Sequence, residues 1–196
     1  MVAQQFLVKI PKERIGVLIG ANGTVKEHIQ RKLSVTLDIN SGTGDVVITL
    51  REGAEDPSLL FRAKDVVLAI GRGFSPERAF KLLESEDITL DIIDLREYVG
   101  KSESELTRIR GRIIGREGKA RKMIEELSGA LVSVYGHTVA IIGDFEQVSI
   151  AREAVLKLIN GAEHSTVYRF LQRKRQEMKK GRLTLWEGGS LTPTSE

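Results

Sequence analysis

The sequence has no cysteine, only three histidines and only ten aromatic residues among its 196 positions. Without cysteine, the chain can form neither a disulfide nor a thiolate zinc site. The histidines, His28, His137 and His164, lie too far apart in the sequence to suggest a metal cage. No apolar run approaches the roughly 18 residues of a membrane span, and the first residues lack the order of a signal peptide. These absences predict a cytoplasmic protein without a metal, a cofactor or a membrane partner.

Charged residues are abundant and segregated along the chain, although the net charge is only +3. Residues 12–32, 106–122 and 169–182 carry five, seven and seven Lys or Arg against two, one and one acids. Residues 84–105 hold eight acids and two bases. A solvated helix face explains any one such block. Three blocks together predict a local positive field that attracts an anionic partner.

The sequence repeats itself with a shift of 95 positions, which places residues 15–23 on residues 110–118. Four identities fall in this window, at Gly16/Gly111, Ile19/Ile114, Gly20/Gly115 and Gly23/Gly118. The apolar patterns that follow also correspond, and they predict helices and strands in the same order. The predicted elements of the two copies are strands at 6–10 and 88–95, helices at 24–33 and 119–127, strand pairs at 35–39 with 46–50 and 131–135 with 138–142, and helices at 57–70 and 145–159.

This duplication predicts an α+β fold with two units of order β-α-α-β-β-α, each a three-stranded sheet packed on helices. Units of this length are typical of small domains. The predicted segments are a first unit at 1–74, a connecting helix and linker at 75–87, a second unit at 88–164, a basic helix at 165–182 and a disordered tail at 183–196.

Each copy places Gly-x-x-Gly between two short helices. Glycine permits a sharp turn and leaves room for the close approach of another molecule. The helix that follows offers unpaired N–H groups and the positive end of its dipole, which favour an anion. The mononucleotide-binding pattern fails because Gly118-Lys119 is followed by Ala120, and no Gly-x-Gly-x-x-Gly opens a helix after a strand. The loops therefore predict a polyanion rather than a nucleotide cofactor.

Residues 10–23 and 112–118 closely resemble the signature of the KH RNA-binding domain, and the strand-first order matches its eukaryotic-type topology. Residues 72–79, 111–128, 134–143 and 166–176 further resemble the archaeal counterpart of a ribosome-assembly KH family, called partner of Nob or Dim-two, to which Krr-type proteins are related. The resemblance implies two tandem KH domains that grip single-stranded RNA, with the 3′ region of small-subunit rRNA as the target. It also implies two protein partners, the endonuclease that trims this RNA and the α subunit of translation initiation factor two.

Transferred to this sequence, the KH pattern places RNA-binding residues in both loops and in the basic residues around them. In the first copy they are Ile19, Gly20, Ala21, Asn22, Gly23 and Lys26. In the second copy they are Arg108, Arg110, Arg112, Ile114, Gly115, Arg116, Glu117, Gly118, Lys119, Arg121 and Lys122. The basic C-terminal helix adds Arg173 and Arg175. Because the first loop carries no charge, we expect the second copy to provide most of the affinity.

An apolar groove is implied beneath the bound bases in each copy. Its walls would be Ile15, Leu18, Ile19, Leu37 and Ile39, and Ile113, Ile114, Val132 and Val134. For Leu37 and Val132 an ordinary core position is the favoured interpretation.

Two other functions remain open from the sequence. A protein–protein adaptor would dock a factor through the acidic residues 84–105 or through the first unit. A transcription-elongation KH protein would have the other KH topology, which the strand predicted at 6–10 disfavours. No catalytic residues are predicted, because no carboxylate pair forms an acid–base motif and both His28 and His137 are expected at the surface.

Overall fold

The computed structural model describes residues 4–54 and 56–188. The first half of the chain begins with a strand, and a single 3₁₀ turn, Ala21–Gly23, separates its first two helices. The elements of this half are β1 (Gln5–Lys9), α1 (Lys12–Ile19), α2 (Thr24–Lys32), β2 (Val35–Asn40), β3 (Asp45–Leu50) and α3 (Ser58–Gly71).

The second half repeats this order after a short connection. The connection is α4 (Pro76–Ala79) followed by a 3₁₀ turn, Phe80–Leu83. The elements that follow are β4 (Thr89–Asp94), α5 (Arg96–Val99), α6 (Glu103–Ile114), α7 (Lys119–Ser128), β5 (Leu131–Tyr135), β6 (Thr138–Gly143), α8 (Phe145–Ile159) and α9 (His164–Gly188). None of the helices in the described ranges is long and apolar enough to cross a membrane.

The strands form two antiparallel three-stranded sheets with the same arrangement, β1-β3-β2 in the first half and β4-β6-β5 in the second. In each sheet the last strand lies between the other two, with Leu7 opposite Val47 and Ile93 opposite Val139. The predicted α+β fold with three-stranded sheets on helices is thereby confirmed. The short α5 lies between β4 and the first helix of the second copy, and the first half has no equivalent element.

Helix α3 is buried around most of its circumference because it packs against both halves. It contacts all three strands of the first sheet and also β4 of the second sheet. From the second sheet, Ala140 and Ile142 join the hydrophobic core of the first half. Its last turns, residues 66–71, are apolar on all sides, which suits such an enclosed position.

The two sheets consequently differ in their outer faces. On the first sheet, Leu7, Thr36 and Asp38 are exposed. On the second sheet, every residue of β6 is buried, because one face covers α6, α7 and α8 and the other covers α3 and the Phe80–Leu83 turn. The two halves thus share one continuous packing arrangement.

Helix α9 runs past residue 182, where the sequence predicted its end and the start of a tail. Its first turns are anchored in the second core by Val167, Phe170 and Leu171. No proline lies between Pro76 and Pro193, so the sequence has no helix breaker of this kind near residue 182. Residues 189–196 of the predicted tail lie outside the described residues.

Candidate nucleic-acid interface

The two Gly-x-x-Gly loops have nearly the same backbone conformation. The first glycine has φ of +75° at Gly20 and +72° at Gly115. The residue before the second glycine is left-handed in both loops, with φ of +53° at Asn22 and at Glu117. Such angles are uncommon for residues other than glycine and asparagine. The shared conformation shows that the loop geometry survives the change of its two central residues.

The two glycines of each loop are needed for different structural reasons. A Cβ atom added at Gly20 would lie 2.5 Å from Val25 Cγ2, and one at Gly115 would lie 2.7 Å from the Ala120 backbone nitrogen. The first glycine therefore allows the next helix to pack against the loop. A Cβ atom at Gly23 or Gly118 would meet nothing within 4 Å, so these glycines face open space that another molecule can approach.

The charge around the two loops differs strongly. In the first copy, positions 21, 22, 24, 26 and 27 hold one cation, Lys26, and one acid, Glu27. The equivalent positions of the second copy hold four cations and one acid, in the order Arg116, Glu117, Lys119, Arg121 and Lys122. The surroundings of the second loop therefore create a positive electrostatic potential that attracts a polyanion, whereas those of the first loop are close to neutral.

Three of these four cations are available to a ligand. Arg116, Lys119 and Lys122 are exposed, and none of their side chains forms a hydrogen bond or ion pair with another described residue. Together with Met123 they line a shallow cleft beside the loop. Arg121 is instead held by Glu125 Oε2 at 3.0 Å and by the Val132 carbonyl oxygen at 3.4 Å.

Arg112 was predicted to bind RNA, but its guanidinium binds backbone carbonyl groups at and just after the end of α8. Its Nε donates to the Leu158 carbonyl at 3.1 Å and its Nη2 donates to the Ala162 carbonyl at 2.6 Å. A guanidinium is favourable there because the last carbonyls of a helix lack partners and carry partial negative charge. Arg14 does the same for α3, where it donates to the carbonyls of Ile70 and Phe74. We therefore leave Arg112 out of the candidate interface.

The other two arginines of α6 point elsewhere. Arg108 is exposed and pairs with Glu105 at 2.7 Å. Arg110 donates to the Gly136 carbonyl in the β5–β6 turn at 3.0 Å, and it lies one helical turn before Ile114 on the same face of α6. Arg110 thus lies between α6 and the turn that joins β5 to β6.

The apolar groove is narrower than the sequence predicted. Ile15, Leu18 and Ile113 were predicted as groove walls, but they are buried core residues. The favoured core positions of Leu37 and Val132 are confirmed, because both side chains are buried in their cores. The half-buried positions that remain for a groove are Ile19, Ile39, Ile114 and Val134.

Strand β5 forms the other side of the candidate groove as an edge strand. The Val132 N–H donates to Glu125 Oε1 of α7 at 2.7 Å. Since alternate residues of a strand direct their backbone groups to the same side, the N–H and C=O of Val134 also point away from β6. The first copy has the equivalent bond, from the Leu37 N–H to Gln30 Oε1 at 2.8 Å.

Residues of β5 contact the first half of the chain, and the sequence did not predict these contacts. The Tyr135 hydroxyl donates to Glu13 Oε1 at 2.8 Å, and the Arg14 guanidinium lies 5.6 Å from the centre of the Tyr135 ring. Hydrogen bonds from its own backbone N–H and from Tyr135 lower the pKa of Glu13. The Ser133 hydroxyl donates to the Arg72 carbonyl at 2.9 Å. No local sequence pattern links residues more than 60 positions apart.

On α9 the structure separates Arg173 from Arg175. Two residues correspond to about 200° around a helix, so the two side chains leave on opposite sides. Arg175 faces α7, where its Nη1 lies 3.8 Å from Glu126 Oε1. Arg173 lies 3.9 Å from Glu177 on its own helix. Only Arg175 is on the side of the second loop helix.

The histidines each have a local contact. The His28 ring packs against Phe80, with centroids 4.6 Å apart, and His164 Nε2 lies 2.8 Å from the Arg112 carbonyl oxygen. His137 lies in the β5–β6 turn, where burial lowers its pKa. Among the described residues there is no group of three or more His, Asp or Glu that could hold a metal ion.

Comparisons with known proteins agree with this geometry. Residues 89–176 match the family model of the eukaryotic-type KH domain, KH-domain type I. A KH domain-containing protein of Methanocaldococcus jannaschii is 49% identical over 181 residues, which cover 92% of this chain and 78% of the relative. The pre-rRNA-processing protein PNO1 of Phaeosphaeria nodorum is 28% identical over 176 residues, 90% of this chain and 67% of the relative.

A solved structure is similar over most of the chain. It is the crystal structure of the a/eIF2alpha-aDim2p-rRNA complex of Pyrococcus horikoshii, in which a chain 50% identical covers 90% of this chain and 97% of its own length, with a TM-score of 0.84. The identity and coverage shared with these archaeal proteins establish the relationship. The chain belongs to the archaeal Dim2/PNO1-type family of KH-domain proteins.

Proposed function

We propose that this protein binds single-stranded RNA of the small ribosomal subunit during pre-rRNA processing, and that its second Gly-x-x-Gly loop is the clamp. The observation that carries the proposal is the group of three exposed, unpaired cations, Arg116, Lys119 and Lys122, around a loop whose second glycine faces open space. A KH loop holds the backbone of about four nucleotides. Phosphates would be bound by these cations and by the first N–H groups of α7.

The first half is proposed to be a second KH domain, with the domain limits given by the repeat, 1–74 and 88–164. The repeated element order, the repeated sheet order and the equal loop torsion angles support this assignment. Its loop, Ile19 to Gly23 with Lys26, would make weaker contacts because its charges cancel. In the second half, Arg108 and Arg110 extend the basic surface along α6, and Ile114 and Val134 would contact bases.

The 3′ region of small-subunit rRNA is the proposed target, and the names of the relatives support a role in rRNA processing. The endonuclease that trims this RNA and the α subunit of translation initiation factor two are the proposed protein partners. The second partner is supported by the Pyrococcus horikoshii complex, which contains a/eIF2alpha. An adaptor function is the alternative, and it is favoured by the exposed outer face of the first sheet, where Leu7 is 70% exposed.

Matched loop variants test the clamp. Arg116→Asp with Glu117→Asp and Ala21→Asp with Asn22→Asp both produce Gly-Asp-Asp-Gly, both change the charge by −2, and both keep the glycines that the backbone requires. We expect the second-loop variant to lose at least about tenfold in affinity and the first-loop variant less than about threefold. The measurement is fluorescence anisotropy with a labelled 3′-end rRNA oligonucleotide and a scrambled oligonucleotide.

Circular dichroism of both variants controls for folding. A larger loss from the first-loop variant would assign the clamp to the first half. Equal, weak binding of both oligonucleotides by all three proteins would reject the RNA clamp and favour the adaptor.

A further inference from the structure

Helix α9 forms a second basic cleft with α7, outside the groove between α6, α7 and β5. Its α9 side is lined by Gln172, Arg175, Gln176 and Lys179, and its α7 side includes Met123 and Glu126. These four α9 residues stand at positions i, i+3, i+4 and i+7, which places them on one side of the helix. The cleft forms because α9 packs against both α7 and α8.

This cleft is continuous with the surface beside the second loop. Met123 lines both the α7–α9 cleft and the shallow cleft formed by Arg116, Lys119 and Lys122. Glu126 lies eight positions after Gly118, which corresponds to about 12 Å along the axis of α7. A chain that leaves the loop along α7 thus passes Met123 and the exposed Glu126 before it meets the α9 cations.

The side chains of the cleft suit a phosphate backbone. Lys179 is exposed, and the side chain of Arg175 retains 40% exposure. Among the described residues, Glu126 is the one acid that lines the cleft, and it lies 3.8 Å from Arg175. The amides of Gln172 and Gln176 can donate to phosphate or to base edges. Two cations and two amides against a single acid give the cleft an excess of groups that bind phosphate in a sequence-independent way.

We infer that an RNA strand held by the second loop continues over the outer face of α7 into the α7–α9 cleft, where Arg175 and Lys179 bind its phosphates. This inference rests on the proposed function of the second loop. The cleft lengthens the bound segment beyond the nucleotides in the KH groove. It adds affinity for long RNA strands but not for strands that fill only the loop.

The experiment compares two RNA lengths and two double variants of the full chain. The cleft variant is Arg175→Gln with Lys179→Gln. The control variant is Arg169→Gln with Lys180→Gln, which removes the same charge from exposed residues of the same helix outside the cleft. The labelled probes are a single-stranded RNA of about four nucleotides and one about three times as long, both containing the segment that the second loop binds.

We expect the cleft variant to lose about tenfold in affinity for the long RNA, and its slope of log K against log salt to become shallower by about 1.4, which is about 0.7 for each of two lost phosphate contacts. Its affinity for the short RNA should equal that of the wild type, and the control variant should bind both RNAs within about twofold of it. An equal loss in both variants, an equal loss on both RNAs, or no loss from the cleft variant would overturn the inference while the loop clamp stands. A wild-type protein that binds neither RNA would overturn the clamp as well.

Discussion

The two halves of the molecule share one backbone plan but differ in the surroundings of their equivalent parts. The loops have almost equal torsion angles, yet the five positions around the first loop sum to zero charge and those around the second sum to +3. Glycine and helix geometry are therefore sufficient to build the loop, whereas the flanking side chains decide whether it attracts an anion.

The sheets differ in the same way. The first sheet has one buried and one exposed face, as antiparallel sheets commonly do. The second sheet is covered on both faces because α3 and the Phe80–Leu83 turn pack on its outer side. The sheet of the second copy thus lies in the interior of the molecule, whereas the sheet of the first copy keeps one exposed face.

A single equivalent position illustrates how the second copy acquired its extra contacts. Gln30 and Glu125 both accept a hydrogen bond from the strand that follows, at Leu37 and Val132. Only Glu125 also forms ion pairs, with Arg121 on its own helix and with Arg78 of the connection between the halves. Because Glu125 is a carboxylate where the first copy has the amide of Gln30, it links α7 to the connection between the halves.

The largest expected difference between the halves concerns their sheet faces. Ile142→Ala should lower the free energy of unfolding by about 3 kcal/mol, because Ile142 is 1% exposed and packs into the core of the opposite half. Leu7→Ala should change it by less than about 0.5 kcal/mol, because Leu7 is on the exposed face. Urea unfolding followed by circular dichroism measures both. A cost at Leu7 close to that at Ile142 would mean that the first sheet is covered in solution.

A smaller difference is expected between two arginines of α6. Arg112→Ala should cost about 2 kcal/mol of unfolding free energy, because it removes two charge-assisted hydrogen bonds, to the carbonyls of Leu158 and Ala162. Arg108→Ala should cost no more than about 0.5 kcal/mol, because it removes only an exposed ion pair. Urea unfolding measures the stability, and anisotropy measures RNA binding. A folded Arg112→Ala protein with normal stability but weakened RNA binding would return Arg112 to the interface.

The smallest expected effect comes from a transfer of charge between the loops. Ala21→Arg, Thr24→Lys and Glu27→Lys give the first loop the cations of the second loop. Since the backbones already agree, affinity for a long single-stranded RNA should rise about fivefold at low salt, with a steeper salt dependence. Anisotropy over a series of salt concentrations measures this.

A control with the same added charge uses the exposed outer face of the first sheet. Thr36→Arg, Thr49→Lys and Asp38→Lys also add four positive charges, but far from any glycine loop in the sequence. If this control raises the affinity as much as the loop variant, the gain reflects net charge and not the shared loop geometry.

Much of the fold was predictable because its signals are local. The strand at 131–135 and the helix at 145–159 have the bounds that apolar periodicity predicted. The loops were found from glycine spacing, since glycine is favoured where the chain adopts a positive φ. The continuous apolar run Val139–Ile142 is typical of a strand buried on both faces, but it carries no information about the elements that cover it.

The candidate site was less predictable than the fold. Arg108, Arg110 and Arg112 alternate along one short stretch and look alike in the sequence, yet one forms a surface ion pair, one binds a turn and one holds the end of α8. Arg173 and Arg175 likewise differ only in the side of α9 that they occupy. Which groups remain available to a ligand depends on partners that are distant in the sequence.

The sequence by itself determined the order of the elements, the duplicated loops and the excess of positive charge around the second loop, because propensity, periodicity and composition act over a few neighbouring residues. Only the tertiary structure decided that α3 lies between the two sheets, that Glu125 joins α7 to the connection, and that Arg175 rather than Arg173 faces α7. These features depend on contacts between residues some 45 to 120 positions apart, such as Arg78 with Glu125 and Glu13 with Tyr135. Such contacts arise only when the whole chain buries its apolar faces together.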